Sequence, residues 1–298
     1  MGHDKLSIVS FNSSRKGLNS LPDVHRSPYL QRILEASEPE ICLLPGDDKT
    51  VSMNSVKGYG QYKVPSADGT VLLFDNNRVR MRSPNVSFNT FGPLPGLDMD
   101  NMVCPGVEVL SLTPSGNQSV VKEFSMVTWK YTMSTETKVK IETLAESLIL
   151  FSQRLALLTG KPVLVGGELT IDHGSLKEIV GKLSKDGQEM FLSGVQPEME
   201  KLGYLPSMAK GSLRDQRHLF MMNVFKCSSG TNGLGHKRNE ALVSDCFIAS
   251  KALELTEAKL VDVEQVTGRQ IKMEMLRKHC PTETSVHIPQ RPPRHHGG

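Results

Sequence analysis

Two rhythms organise the apolar positions of this chain. Short apolar or β-branched runs bounded by Gly, Pro, Asn or Asp alternate with stretches in which apolar residues recur every three to five positions. The runs at Leu6–Phe11, Gly69–Asp75, Val107–Leu112, Val120–Trp129 and Val163–Val165 read as strands. Leu219–Phe225, Cys246–Ala249 and Ala258–Val263 complete a second set. Asp75-Asn76-Asn77-Arg78 reads as the turn of a hairpin that returns through Val79. The runs at 107–112 and 120–129 form an antiparallel pair about the turn-rich Thr113-Pro114-Ser115-Gly116-Asn117. Helical spacing appears twice. Leu30, Ile33 and Leu34 share a face within 28–37, with Pro28 suited to a first turn. Val139, Leu144, Leu148, Phe151 and Leu155 predict a longer helix over 135–158, closed by Gly160 before Pro162. Residues 85–103, rich in Gly, Pro, Asn and Met, read as a long surface loop. This order predicts an α/β chain: two mainly antiparallel sheets packed face to face with helices outside, a four-layer α-β-β-α sandwich.

Length and composition fit one domain. A chain of 298 residues with 38% hydrophobic content can bury a large core, and no Pro/Gly/Ser-rich linker divides its middle. The expected domain spans 1–288, followed by a basic Pro/His/Gly tail at 289–298 too polar to order. No apolar run of about 18 residues predicts a membrane span. The first residues lack the apolar core of a secretory signal, and Leu6 stands where a myristoylation pattern wants Ser or Thr. The five cysteines, Cys42, Cys104, Cys227, Cys246 and Cys280, are odd in number and scattered, as buried thiols of a reducing, intracellular compartment, cytoplasmic or nuclear, would be. Net charge is +3. Six Lys/Arg against Glu274 and Glu283 give +4 from Arg269 onward, so residues 1–268 sum to −1. Such a balance argues against a broad footprint on duplex nucleic acid and leaves local phosphate contacts open.

Candidate chemistry concentrates at strand ends. Lys161-Pro162-Val163-Leu164-Val165-Gly166-Gly167-Glu168-Leu169-Thr170 is an apolar run that ends in a glycine pair followed by a carboxylate. It sets Glu168 at the open end of a buried strand, where α/β proteins hold ligands. Leu6-Ser7-Ile8-Val9-Ser10-Phe11-Asn12 ends in the same way, on Asn12. Gly230-Thr231-Asn232-Gly233-Leu234-Gly235-His236-Lys237 departs from a phosphate loop, its Lys one residue late and no Ser or Thr following, so it reads as a loop. No Gly-x-Ser-x-Gly nucleophile elbow is present.

Taken in order, these segments resemble the endonuclease/exonuclease/phosphatase (DNase I-like) superfamily. Ser10-Phe11-Asn12 matches the family's first strand, which ends in Asn. The second motif, a strand running into Gln-Glu, corresponds to Glu38-Pro39-Glu40-Ile41-Cys42-Leu43-Leu44-Pro45, so Pro45 stands where the metal-binding Glu belongs; Asp47 and Asp48 follow. The third, ending in Asn-Thr-His, corresponds to Phe124–Trp129, with Trp129 at the His position. Gly-Asp-Phe-Asn corresponds to Gly167-Glu168-Leu169-Thr170, and Ser244-Asp245-Cys246-Phe247-Ile248-Ala249-Ser250 matches the fifth motif closely. Ser-Asp-His-x-Pro-Val corresponds to Arg277-Lys278-His279-Cys280-Pro281-Thr282, with Lys278 replacing the Asp.

The resemblance implies a sandwich whose strand ends once held magnesium, with Asn12, Glu168, Asp245 and His279 as the remaining catalytic set and Lys278, Trp129 and Thr170 as ligand contacts. Magnesium demands near-octahedral oxygen ligands, and a lysine beside the site repels a dication. The expectation is therefore a catalytically impaired protein without a cofactor, binding a phosphorylated ligand, nucleic acid or a protein partner. Two alternatives stay open. One is an active magnesium-dependent phosphodiesterase or nuclease in which Asp47 or Asp48 and Glu168 rebuild the metal site. The other is a protein-interaction module built on 85–103 and the Met-rich segments, independent of the cleft.

Overall fold

A computed structural model of the chain describes residues 5–10, 23–44, 58–63, 70–84, 94–95, 97, 102–112, 116, 118–129, 138–172, 175–176, 178–179, 181–182, 220–221, 242–250, 253–255, 259–260 and 282–287. The strands are β1 (Lys5–Ser10), β2 (Ile41–Leu44), β3 (Tyr59–Lys63), β4 (Val71–Asp75), β5 (Val79–Arg82), β6 (Met102–Val103), β7 (Gly106–Leu112), β8 (Gln118–Trp129), β9 (Val163–Asp172), β10 (Phe220–Met221), β11 (Leu242–Ser250), β12 (Glu254–Leu255), β13 (Lys259–Leu260) and β14 (Thr282–His287). The helices are α1 (Asp23–Ser37) and α2 (Lys138–Thr159). One sheet has the order β12-β14-β1-β2-β4-β3, with β13 also on β14; the other runs β10-β11-β9-β8-β7-β5, with β6 also on β8.

Each sheet contains one parallel pair bridged by a helix, β1-α1-β2 in the first and β8-α2-β9 in the second; the other described pairings are antiparallel. A parallel pair needs a crossover, and a helix is the usual one. Strand alternation then sorts the side chains into layers. Leu6, Ile8, Ile41, Leu43 and Leu72 of the first sheet meet Val107, Phe124, Met126, Leu164 and Phe247 of the second in a core between the sheets. Val9, Cys42, Leu44, Val71 and Leu73 face outward onto Leu30, Ile33 and Leu34 of α1. Val127, Val163, Val165 and Ile248 do the same with Leu144, Leu148, Phe151 and Leu155 of α2. Each fully buried side chain of this size contributes about 1.5–3 kcal/mol, so the three layers hold the fold. The predicted four-layer sandwich is the one observed.

Several local expectations change. The Asp75–Arg78 turn forms, with the Asn77 N–H donating to Asp75 Oδ1 at 2.9 Å. It does not close a hairpin, because β4 pairs with β2 and β3 while β5 pairs with β7. The turn instead carries the chain from one sheet to the other. Pro28 lies inside α1, which begins at Asp23. The segment 85–103 is not all surface: Leu94, Met102 and Val103 are buried, and Met102–Val103 pairs with β8, because two consecutive apolar residues beside an open strand edge find ladder partners there. The long helix ends where expected. Gly160 takes a positive φ of 63°, suited to a residue without Cβ just past a helix terminus.

At the end of the sandwich where β2 begins, several polar groups are paired, although Arg78 Nε is buried without a partner among the described residues. Glu40 accepts the Ser7 N–H at 2.6 Å through Oε2 and meets the Arg78 guanidinium at 3.1 Å through Oε1. The Tyr59 hydroxyl donates to the Pro39 carbonyl at 2.8 Å. Burial pushes the Tyr59 hydroxyl well above its ordinary range, reinforced by the Cys42 thiol and then by Asp75, Glu40 and Glu38.

Candidate functional site

The opposite end of the sandwich gathers the strand ends singled out from the sequence. In the parallel pair β1–β2, Ser10 lies beside Leu43, so both strands finish at one edge of the first sheet. β14 and β4 start at that edge, with Thr282 opposite Ser10 and Val71 opposite Leu44. In the second sheet β8 and β9 are parallel, Val127 beside Val165, and β8 finishes at Trp129. One contact fixes how the two edges meet. A Cβ on Gly166 would lie 2.6 Å from Leu43 Cδ1 and 3.1 Å from the Phe247 ring, so with any other residue here Leu43 would have to shift, and glycine lets β9 pass this close beneath the end of β2.

Of the sequence-derived candidates, Glu168, Thr170, Trp129 and Asp245 lie on strands β9, β8 and β11. The register sets Glu168 directly opposite Asp245, two acidic positions on neighbouring antiparallel strands. Opposed positions of this kind stand about 4.5–5.5 Å apart, and like charges there repel. Beyond the pair, Val243 pairs with Ile171, so β9 spends Leu169 and Thr170 against the single residue Ser244. This is a bulge, a device that ladders use beside sites to re-aim the chain. Asn12, Asp47, Lys278 and His279 lie outside the described residues, as do 230–237 and the 289–298 tail.

One expectation needs correction. Glu168 is not at the end of its strand, because β9 continues to Asp172 with β11 supplying ladder partners as far as Leu242. It sits instead just past the end of β8, where β9 leaves a three-stranded stretch and runs on beside β11 alone. The carboxylate position is thus at the lip of the sheet, though within a strand.

Sequence reasoning missed a second feature of this edge. Ser10 (0% exposed), Thr70 (2%) and Thr128 (0%) are buried hydroxyl residues whose oxygens have no hydrogen-bond partner among the described residues. Ser10 ends β1, Thr70 precedes β4 and Thr128 stands one residue before the end of β8. Alternation puts all three on the inter-sheet side. Ser10 follows Leu6 and Ile8, Thr70 precedes Leu72, and Thr128 follows Phe124 and Met126, all of the inter-sheet core. Three other buried hydroxyls are satisfied. Ser147 donates to the Pro95 carbonyl at 2.6 Å, Ser152 to the Leu148 carbonyl at 2.7 Å, and Ser250 accepts the Val163 N–H at 2.7 Å. The available signal was positional, a hydroxyl one or two residues before a candidate site residue in Ser10-Phe11-Asn12 and Thr128-Trp129.

Among the described residues no group of three His, Cys, Asp or Glu could hold a metal ion, and no helix is long and apolar enough to cross a membrane. Cys42 and Cys104 are buried and in no disulfide, and burial pushes the Cys104 thiol far above its ordinary range.

No family model and no curated protein matches the chain. Solved structures do. The human Nocturnin catalytic domain with bound sulfate anion is 13% identical with a TM-score of 0.56, covering 96% of this chain and 95% of that one. D. rerio TDP2 complexed with single strand DNA product is 14% identical with a TM-score of 0.53, over 95% of this chain and 99% of that one. An endonuclease/exonuclease/phosphatase family protein from Bacteroides thetaiotaomicron is 10% identical with a TM-score of 0.54, over 96% and 98%. Identity this low carries the fold alone, and function has to be argued from the site. Two stacked mixed sheets, crossover helices outside and strand ends gathered at one edge give this chain the DNase I-like fold that these endonuclease/exonuclease/phosphatase structures share.

Proposed function

We propose that this chain uses the strand-end cleft of a DNase I-like sandwich to bind a phosphorylated ligand, single-stranded nucleic acid included, and that its capacity for metal-dependent hydrolysis is impaired. The observation behind this reading is what occupies the converging ends. β2 stops at Leu44 and the next residue is Pro45, which offers no carboxylate; β8 stops on Trp129; Thr170 falls in the bulge of β9. Lys278, in the segment leading to β14, would attract a phosphate as a point charge while repelling a dication. A charge of −1 over residues 1–268 fits a local contact better than a duplex-wide footprint. D. rerio TDP2, of like fold, is complexed with single strand DNA product, which makes such DNA a sensible first probe.

The test is direct. Purified protein is assayed with magnesium or manganese against DNA, RNA and phosphoinositide substrates, and binding of the same molecules is measured in parallel. Binding without turnover is the expected result. Metal-dependent cleavage abolished by Glu168→Ala or His279→Ala would overturn the proposal.

A second reading, a live phosphodiesterase, draws on the opposed acidic positions Glu168 and Asp245. Two facing carboxylates are relieved by a cation between them, and a divalent ion there, helped by Asp47, would polarise a phosphoryl oxygen. Calorimetric titration with magnesium separates the readings. Stoichiometric binding lost in both Glu168→Gln and Asp245→Asn favours the second, and no heat favours the first.

A further inference from the structure

A hydroxyl shut away from water with nothing to bond costs free energy, and native folds rarely leave several together. Here three lie under one edge, while Ser147, Ser152 and Ser250, equally buried, are paired. Register sets their level. Ser10 lies beside Leu43, Leu43 packs against Gly166, and Thr128 follows Val127, the partner of Val165 that precedes Gly166. Thr70 is one step further out, before Val71, the partner of Leu44. Strand spacing of about 4.8 Å and sheet spacing of about 10 Å keep such a layer within the span of one small ligand. Leu43 and the glycine at 166 supply the apolar part of the same layer.

We infer that Ser10, Thr70 and Thr128 are ligand-recognition residues, a floor of neutral hydroxyls whose hydrogen-bond partner arrives with the ligand. The inference rests on the cleft-binding reading above and deepens it. The ligand is recognised by uncharged donors and acceptors beneath its charged group, through phosphoryl oxygens or through hydroxyls next to the phosphate. Either source supplies the oxygen that the floor lacks.

Thr128→Val, Thr70→Val and Ser10→Ala delete the hydroxyls at nearly constant shape, and inorganic phosphate and ribose 5-phosphate serve as calorimetric probes. Each variant is expected to bind about three- to tenfold more weakly, the scale of one hydrogen bond, with a melting temperature equal to or above that of the parent. Equal weakening for both probes assigns the floor to phosphoryl oxygens; weakening for ribose 5-phosphate alone assigns it to sugar hydroxyls. Both outcomes support the inference. Thr128→Ser, which keeps the hydroxyl, should bind as the parent does, and its failure to do so counts against the floor. If the parent binds and the variants bind equally well, the floor is wrong and the cleft reading stands. If the parent binds neither probe, both fall. Melting lowered by several degrees in the deletion variants means that the hydroxyls already have partners inside the fold, and overturns the inference alone.

Discussion

The two ends of the sandwich treat buried polarity in opposite ways. At the end where β2 begins, Glu40 joins the Ser7 N–H to the Arg78 guanidinium, and the Tyr59 hydroxyl rests on the Pro39 carbonyl. At the end where β2 finishes, Ser10, Thr70 and Thr128 have buried hydroxyls with no partner among the described residues, and Glu168 stands opposite Asp245 in the ladder register. The first arrangement suits a fold maximising its stability, and the second costs stability. Unsatisfied polarity is not confined to one end, since Arg78 Nε at the paired end is also buried without a partner among the described residues, but the unpartnered hydroxyls gather where β2 finishes.

That contrast can be broken by substitution, starting with the largest effect. Glu40→Ala strands a guanidinium and an N–H at the paired end and should cost about 3 kcal/mol, read as a lower urea midpoint, with ligand binding by the folded fraction unchanged. If binding falls in step with stability, the two ends are not separate. Gly166→Ala drives a methyl into Leu43 and Phe247 and should cost about 1–3 kcal/mol; because the strain lies beneath the cleft, binding should fall as well.

Tyr59→Phe removes one hydrogen bond and should cost about 1 kcal/mol at pH 7. Its pH dependence has a definite sign. Folding raises the hydroxyl's pKa above the unfolded value of about 10, so the protonated group favours the native state, and that contribution is lost as pH rises past 10. Urea midpoints at pH 7 and pH 10.5 should show the parent's advantage over Tyr59→Phe shrinking at the higher pH; a constant gap would exclude the shift. The smallest effect sharpens the comparison most. Ser250→Ala orphans the Val163 N–H and should lose about 0.5–1.5 kcal/mol, whereas Thr128→Val, a hydroxyl as deeply buried, should lose nothing.

Where a run of apolar residues alone decided the structure, it was readable in the sequence. Val163–Val165 and the helical spacing from Leu144 to Leu155 take their layers from local periodicity, and the resemblance of the ordered motifs supplied the segment at Ile41–Leu44 and the packing of two sheets. The strands β3 and β14 went unread. Tyr-Gly-Gln-Tyr-Lys and Thr-Glu-Thr-Ser-Val-His are polar, and they become strands because distant neighbours, β4 and β1, offer ladder partners. The same nonlocality misled at Glu168, where β11 prolongs a strand that the glycine pair seemed to end. Asp75–Arg78 was legible as a turn but not as a bridge between sheets, since nothing local says which strands its flanks will join. Of the site, the Glu168 and Asp245 positions were identified but their opposition was not, because register is a property of two segments. The hydroxyls were invisible for a related reason. Thr128 and Ser250 look alike in the sequence, and only the fold reveals which has company.

The pairing of β14 with β1 has a consequence for biogenesis. Residues 282–287 must lie along residues 5–10 before the first sheet is whole, so a chain emerging from the ribosome cannot complete that sheet until residue 287 has been made. The second sheet, drawn from residues 79–250, has all its strands earlier. Contacts closed over such long separations form slowly, which leaves the unfinished edge of β1 exposed to aggregation or to a chaperone during synthesis. The edge where Ser10 meets Thr282 therefore forms only after the second sheet has its described strands.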